Sequence, residues 1–431
     1  MLTTRYVRDH IDEIRASFER RKSDYPLEEL LKLDEEWRSL KTKLQELQAR
    51  RNKASLEISA LKKKGVDASE IIASVGGIKS EIEAIESGMP SYEERIEQLL
   101  WNMPNVLEDA VPYGESEEQN VEIKKWGTIR KKSGKSHEEI LTGLGLIDLE
   151  RAAKTAGARF YYLKGDLALL ELSLIRFVLD TMSRKGYTVV SPPYMIKKKY
   201  YKGVTALGDF EEALYRIGDS KEVEAKKEYE KIDEELFMIS TSEHALAPLH
   251  AEEVLPAKSL PLKYTGVSPC FRREAGAHGK DTKGIFRVHQ FWKVEQFIFC
   301  RQEDSKGYFK ELLGNAEDIF QKLDIPYHLL EFCTGGIGTV AARKIDIEAW
   351  MPGQSAYREV VSCSNCTDWQ SSRLDIKYDD KEGRKYVHTL NATAVATTRA
   401  LVAIVENYAN DDGSIVVPEV LVPYMGKSKI G

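Results

Sequence analysis

Residues 270–295 read CFRREAGAHGKDTKGIFRVHQFWKVE. The stretch parses as the end of a strand, a glycine-rich basic loop over Gly276–Gly284, and a second strand opening at Ile285. Side chains alternate across a strand with a period of two, so Arg287, His289, Lys293 and Glu295 share one face. So much ionisable material on a sheet is costly to bury unless a ligand or a lattice of ion pairs compensates it. Two readings stay open on this stretch alone: a structural salt-bridge lattice, or a pocket for a polyanion. On the second, Arg272 at its strand end can grip a phosphate or carboxylate through two parallel hydrogen bonds. Lys280 and Lys283 then add charge to a loop that closes over a nucleotide. Neither GxxxxGK[ST] nor a strand-linked GxGxxG occurs, so neither common phosphate loop is available.

Working outward, Leu262–Arg273, Ile285–Cys300, Lys344–Met351 and Tyr386–Asn391 all alternate as strands. They are not regularly interleaved with helices, which argues against a doubly wound parallel sheet. An α+β fold, a mostly antiparallel sheet flanked by helices, fits better. Residues 166–185 carry an amphipathic helical period stopped by Gly186, and Tyr187-Thr-Val-Val-Ser-Pro-Pro is a strand ending at prolines. Ile239-Ser-Thr241-Ser242-Glu243 places a carboxylate among small hydroxyls, which suits an ammonium group and equally suits a surface turn. His388-Thr-Leu-Asn391-Ala-Thr393 runs on to Arg399 as a strand turning into a helix of small residues. Taken singly, that arginine is no more than a surface or capping residue. Asp219–Glu235, dense in Lys and Glu, reads as an exposed insertion.

Before residue 104 the pattern changes. Leu30, Leu33, Trp37, Leu40, Leu44, Leu47, Arg51, Ala54, Ile58 and Leu61 follow at alternating steps of three and four. So do Ile71, Val75, Ile78, Ile82, Ile85, Met89, Tyr92, Ile96, Leu99 and Met103. Two such seams joined by a short polar link predict an antiparallel coiled-coil hairpin. Gly76-Gly77 and Gly88-Met89-Pro90 predict a bend or irregularity in its second helix. The tip is basic, with Arg50, Arg51, Lys53, Lys62, Lys63 and Lys64, whereas the proximal parts are acidic. That distribution suits phosphate-backbone contact, a solvated face, or a dimerisation device. Pro112-Tyr113-Gly114 and the acidic Glu115–Glu122 read as a surface connection, so the chain is expected to divide into an arm, 1–112, and a second domain, 113–431.

Composition bounds the rest. At 431 residues, 42% hydrophobic and 31% charged, the chain has material for a large core and is not disordered. No apolar run approaches the roughly 18 residues of a membrane span, and no secretory h-region opens the chain. A net charge of −6 confines any nucleic-acid contact to a local patch. Five sparse cysteines read as reduced thiols, with a cytoplasmic location expected. Cys363-Ser-Asn-Cys366 has no second CxxC to complete a zinc site, so no zinc is expected.

In order along the chain, these motifs resemble those of seryl-tRNA synthetases, a family of class II aminoacyl-tRNA synthetases. The resemblance covers the arm, Thr241-Ser-Glu243, Phe271-Arg-Arg-Glu274 through Glu295, Arg358-Glu359-Val360-Val361-Ser362, and Asn391-Ala-Thr393 with Arg399. Asn391-Ala-Thr-Ala-Val-Ala-Thr-Thr-Arg399 and Val361 are closer to the archaeal and eukaryotic branch than to the bacterial pattern. The resemblance implies L-serine, ATP and tRNA(Ser) as substrates, with tRNA(Sec) left open, and Mg²⁺ accompanying ATP. It implies a homodimer built on the helix 166–185 with Pro193. It places Thr241, Glu243, Arg272, Glu295, Asn391 and Thr393 around serine. It places Arg272, Arg273, Glu274, Val288, Glu359, Val360, Val361, Ser362 and Arg399 around ATP, Val288 lying against adenine and Glu359 with Ser362 as the Mg²⁺ ligands. Arg272 and Arg399 carry the catalysis. The basic tip, Arg50 to Lys64, then meets tRNA. A ligase loading a carrier protein and a non-catalytic RNA-binding paralogue are the alternatives: the first lacks such an arm, and the second predicts decay of the ATP motifs.

Overall fold

A computed structural model describes residues 3–129, 134–206, 213–217, 235–274, 283–381 and 383–431. Nearly all of the expected 219–235 insertion, most of the Gly276–Gly284 loop, and Lys280 fall outside the described residues. The chain divides into two compact units, one ending at Pro104 and the other spanning Asn105–Gly431.

The first unit is built on two long helices, α1 (Leu27–Lys63) and α2 (Ser69–Asn102). At 1.5 Å per residue each is roughly 50–55 Å long. Cross-contacts run in opposite directions along the two helices: Arg95 pairs with Glu29, Trp37 donates to Glu93, Gln48 donates to Glu86, and Leu47 packs with Ile78 and Ile82. The hairpin is therefore antiparallel. Every position of the two predicted seams is buried or half-buried, and the flanking positions are mostly exposed. At the turn, the Asp67 carboxylate accepts from the Ser69 amide (3.0 Å) and hydroxyl (2.6 Å) and starts α2. The helix runs unbroken through Gly76-Gly77 and Pro90, so the irregularity expected there does not interrupt it. Packing of the seam outweighs the weak local propensity. Asp34 is the one buried carboxylate of α1, and Arg8 (2.5 Å) and Arg38 (2.9 Å) clamp it. Burial pushes its pKa up, but the bonds from Thr4, Arg8 and Arg38 bring it below the usual carboxylate value.

The second unit is organised by one eight-stranded sheet. Its strands, in chain order, are β1 (Val121–Trp126), β2 (Thr188–Val190), β3 (Leu262–Phe271), β4 (Gln290–Cys300), β5 (Tyr327–Glu331), β6 (Arg343–Met351), β7 (Ala356–Thr367) and β8 (His388–Ala396). The spatial order is β1-β5-β6-β7-β8-β4-β3-β2. Only the β2–β3 pair is parallel. Two sequence expectations are corrected. Glu122 and its neighbours form an edge strand rather than a loose connection. The second strand of the basic stretch starts at Gln290, not Ile285, because the Ile285 amide is taken by a side chain outside the sheet.

One sheet face is apolar. Val294, Ile298, Ile345, Ile347, Val361, Cys363, Leu390 and Ala392 point into a core shared with α3 (Asp166–Arg184), α4 (Ser305–Lys322) and α5 (Thr397–Tyr408). Burying each large aliphatic side chain there contributes about 2 kcal/mol. The opposite face is apolar only at one end, where Phe297 and Phe299 pack with Leu246, Leu374 and Tyr378. The remainder of that face carries the polar side chains.

The second unit is fastened at its start by Asn105. Its amide donates to the backbone carbonyls of Val340 (2.9 Å) and Cys366 (2.8 Å), and its oxygen accepts from Thr367 (3.1 Å). Asn105→Ala strands those carbonyls in the interior, and urea unfolding should show a loss of about 3 kcal/mol. A loss under about 0.5 kcal/mol would mean that water replaces the amide at no cost.

Candidate active site

Register decides which side chains share the polar face. Glu359 and Ser362 are three residues apart on β7, a separation that puts side chains on opposite faces of a regular strand. Here Glu348 pairs with Glu359 and Ile347 with Val361, so Val360 is an extra residue. This β-bulge turns Glu359 to the face that holds Ser362 and Asp346, which pair with one another across β6 and β7. A second bulge, at Ala394 on β8, sets Thr393 opposite Glu295 while Val395 stays opposite Val294. Asn391 lies opposite Ser364 on one side and Phe297 on the other. Lys293, Glu295 and Phe291 on β4 complete the surface.

The Ser240–Glu243 turn sits over β3. Gly266 makes this approach possible, since a Cβ there would come within 2.7 Å of the Ser242 Cβ. Ser242 and Ser268 hydroxyls bond at 2.7 Å, which anchors the turn. Thr241 donates to Glu295 (3.3 Å) and accepts from Lys293 (3.2 Å), and Lys293 and Glu295 form an ion pair. One Glu243 oxygen accepts from Gln370 (2.8 Å) and Asn391 (3.0 Å). Burial, then the neighbouring Glu295 charge, pushes Glu243 from 4.5 to about 7. Burial also raises Glu295, although Lys293 and Thr241 oppose it. His244, whose Nδ1 lies 2.7 Å from the Tyr201 hydroxyl, is driven down to about 3 by burial and by Arg272 and Lys293, and is neutral.

The cationic side of the site is built from two distant segments. Arg272 leaves β3 with its Nε donating to the Ser240 carbonyl (3.3 Å) and its guanidinium over the Phe291 ring (5.3 Å). Its backbone is pinned to His289, whose amide-side carbonyl takes the Arg272 N–H and whose Nδ1 donates to the Arg272 carbonyl (2.7 Å). Arg399, in the first turn of α5, donates to the Glu359 carbonyl (3.0 Å) and pairs with its carboxylate (3.1 Å). Burial would raise Glu359, but Arg399, Lys344, Arg272 and Lys293 together hold it low. Arg272 and Arg399 thus bear on the same carboxylate. Glu274 pairs with Arg287 (2.8 Å), and its φ of 50° turns the chain sharply out of β3.

The structure therefore gathers Thr241, Glu243, Arg272, Glu295, Glu359, Ser362, Asn391, Thr393 and Arg399 along one face. It does not expose the apolar members of the expected set. Val288 is 2% exposed and lies in the central core, so it offers no open surface to a ring. Phe291, 8% exposed and on the Glu295 face by period two, presents its ring beneath the Arg272 guanidinium, and that alternation could have identified it. Val360 and Val361 are buried, leaving only their backbone as a candidate contact. Arg273 is exposed and lines a cavity of about 550 Å³ with Lys198, Tyr215, Arg216, Glu235 and Phe237. Gln370 and Lys344 were missed; nothing in the local sequence of Gln370 distinguishes it from a surface helix residue. Asp346, also missed, is 2% exposed, and its Oδ1 has no hydrogen-bond partner. With Glu359 and Ser362 it sets three oxygen donors on one face, the donor chemistry a hard divalent cation such as Mg²⁺ takes, with the Lys344 ammonium already paired to the second Asp346 oxygen (3.3 Å). Cys363 and Cys366 are buried free thiols.

The sheet and its polar face correspond to a class II aminoacyl-tRNA synthetase core. The family model for the tRNA synthetase class II core domain (G, H, P, S and T) matches residues 224–408, and that for the seryl-tRNA synthetase N-terminal domain matches residues 1–107. The serine–tRNA ligases of Methanocella arvoryzae and Methanospirillum hungatei are 46% and 48% identical, each alignment covering 99% of both chains. The crystal structure of seryl-tRNA synthetase from Pyrococcus horikoshii complexed with ATP has a TM-score of 0.92 at 43% identity, covering 100% of this chain and 99% of that one. Cytoplasmic serine-tRNA ligase from Naegleria fowleri in complex with AMP has a TM-score of 0.86 at 35% identity, with 97% and 95% covered. The chain belongs to the seryl-tRNA synthetase family.

Because its folded pKa lies above the ordinary value, Glu243 costs stability once it ionises: nothing below pH 4.5, the full penalty above pH 7. Glu243→Gln mimics the protonated form and keeps an oxygen for Gln370 and Asn391. Urea titrations should find this variant more stable than the parent by about 3 kcal/mol at pH 8 and nearly equal to it near pH 4.5. A variant less stable at pH 8 would mean that Glu243 is not an ionisation liability.

Proposed function

We propose that the chain activates L-serine with ATP, releasing pyrophosphate, and transfers the seryl group to a terminal ribose hydroxyl of tRNA(Ser). The observation that carries this reading is the convergence of Arg272 and Arg399, from β3 and α5, on Glu359 beside the Glu243–Glu295 pocket. Serine's carboxylate attacks the α-phosphate; its oxygen forms the new P–O bond as the bond to the pyrophosphate oxygen breaks. The reaction needs little side-chain proton transfer, so positioning and charge neutralisation dominate. Arg272 bridges the attacking carboxylate and the α-phosphate and offsets the charge that gathers between them. Arg399 holds the γ-phosphate of a bent ATP. Phe291 supplies an aromatic surface, and Glu274 with Arg287 borders the nucleotide. Glu359 and Ser362 are the residues that would hold Mg²⁺, which neutralises phosphate charge when bound.

Glu243 and Glu295 supply acceptors for serine's ammonium and hydroxyl, with Thr241, Asn391 and Thr393 around them. Buried polar groups left unpaired would reject alanine by roughly 10⁴-fold, and threonine is excluded by volume. The exposed Leu169 (49%) and Leu172 (59%) on α3 and Val189 (45%) on β2 supply apolar surface for a homodimer contact. At the tip of the first unit, Arg50, Lys53, Lys62, Lys63 and Lys64 are exposed and Arg51 is half-buried; none forms an ion pair among the described residues, leaving their charge for an RNA backbone. Among the described residues no helix is long and apolar enough to cross a membrane.

Arg272→Ala should abolish serine-dependent ATP–pyrophosphate exchange while leaving the thermal transition in place; normal exchange would remove Arg272 from the mechanism. Deleting residues 30–100 should spare that exchange and cut charging of pure tRNA(Ser) by 100-fold or more. Equal loss of both activities would make the hairpin a folding element instead.

A further inference from the structure

One buried network outside the reacting groups joins three segments of the nucleotide site. His137, the first residue of the short helix His137–Gly143, is 5% exposed, and Glu406 on α5 is 2% exposed. The Glu406 Oε1 accepts from the His137 backbone amide (3.1 Å) and lies 2.9 Å from His137 Nδ1. Its Oε2 accepts from the Gly353 amide (2.9 Å) in the β6–β7 turn. The other ring nitrogen, Nε2, accepts from the Ile285 amide at 3.2 Å. An amide can only donate, so Nε2 carries no proton and the ring proton sits on Nδ1, facing the carboxylate. A carboxylate buried this deeply is tolerable because three N–H groups satisfy it.

The glycines fit the same account. A Cβ on Gly284, whose φ is +68°, would lie 2.0 Å from His137 Nε2; a Cβ on Gly353 would lie 2.9 Å from Glu406 Oε1 and from the Ser136 Cα. Both close approaches serve the ring and the carboxylate. Immediately after Ile285, the Phe286 ring lies under Arg399 (5.2 Å) and Arg358 (4.5 Å). Arg399 and Glu406 stand on the same helix, α5. The Ile285 amide is therefore referenced to that helix through one imidazole.

We propose that His137 is a positioning residue for ATP: held by Glu406, its Nε2 fixes the Gly284–Val288 segment against the helix that carries Arg399. This rests on the function proposed above. The role requires an acceptor at the Nε2 position, not merely a ring of the right volume. The two amide substitutions separate these demands. His137→Gln can present a carbonyl oxygen where Nε2 stood, whereas the shorter His137→Asn can keep a donor towards Glu406 but cannot reach Ile285.

The test measures serine-dependent ATP–pyrophosphate exchange on the full chain, with KM for ATP and serine and kcat determined separately. Exchange by the parent protein establishes the underlying reading; its absence defeats that reading without bearing on the brace. Given exchange, His137→Asn should raise the KM for ATP about tenfold and leave the KM for serine within about twofold, while His137→Gln stays within about threefold of the parent for ATP. Equal effects of the two variants, or equal increases for both substrates, would overturn the proposal. If His137→Asn fails to fold, Gly284→Ala, which pushes the ring aside while retaining all its polar atoms, should show the same ATP-selective increase; an unchanged KM for ATP in that variant would also overturn it.

Discussion

Charges that cannot all be solvated set the design of the second unit. Arg272, Lys293, Lys344 and Arg399 face Glu243, Glu295, Asp346 and Glu359 across one layer of the sheet. The outcomes for these carboxylates differ: burial raises Glu243, Glu295 and Asp346, while Glu359, paired with Arg399, is held low by the surrounding cations. Such a layer is poor at stabilising a fold, since paired charges recover little more than their desolvation. It is well suited to receive a ligand bearing both an ammonium and several phosphate oxygens, because the compensating groups are fixed before the ligand arrives.

The apolar face carries the energetic load that the polar face cannot. Its aliphatic side chains, closed by α3, α4 and α5, hold the strands in one register. Bulges at Val360 and Ala394 then shift selected side chains between faces without disturbing that core. Glycines do comparable work at close approaches: Gly266 seats the Thr241 turn, and Gly284 and Gly353 admit the His137–Glu406 contact. The chemistry is thus placed by backbone detail, and the core makes such detail affordable.

Much of this was legible in the sequence where a period survives. The 3-4 alternation of the first unit needs no tertiary information, and each of its positions is sheltered in the hairpin. The strand expected over Leu262–Arg273, which ends in the structure at Phe271, and the alternation of Lys293 with Glu295 are equally plain. The failures have physical causes. Val121–Trp126 is an edge strand with five of six residues exposed, so no apolar alternation marks it. On β7 the bulge breaks the period, so alternation alone would set Glu359 and Ser362 on opposite faces, and only the family resemblance puts them together. Ile285 to His289 alternates like a strand, yet its first amide is claimed by His137, 148 residues away in sequence. Gln370 enters the pocket only because a short helix, Trp369–Arg373, packs over Thr389. Contacts of that range leave no local trace.

The extra residue at Val360 has a mutational corollary. Losing that single valine would let β7 resume an ordinary ladder and keep every neighbouring letter of the motif, at the cost of one buried core side chain. It would also rotate Glu359 away from Arg399 and Ser362. Exchanging one residue for another here leaves the register in place, whereas an insertion or deletion at this spot resets it, and with it the face on which the acidic side chain stands.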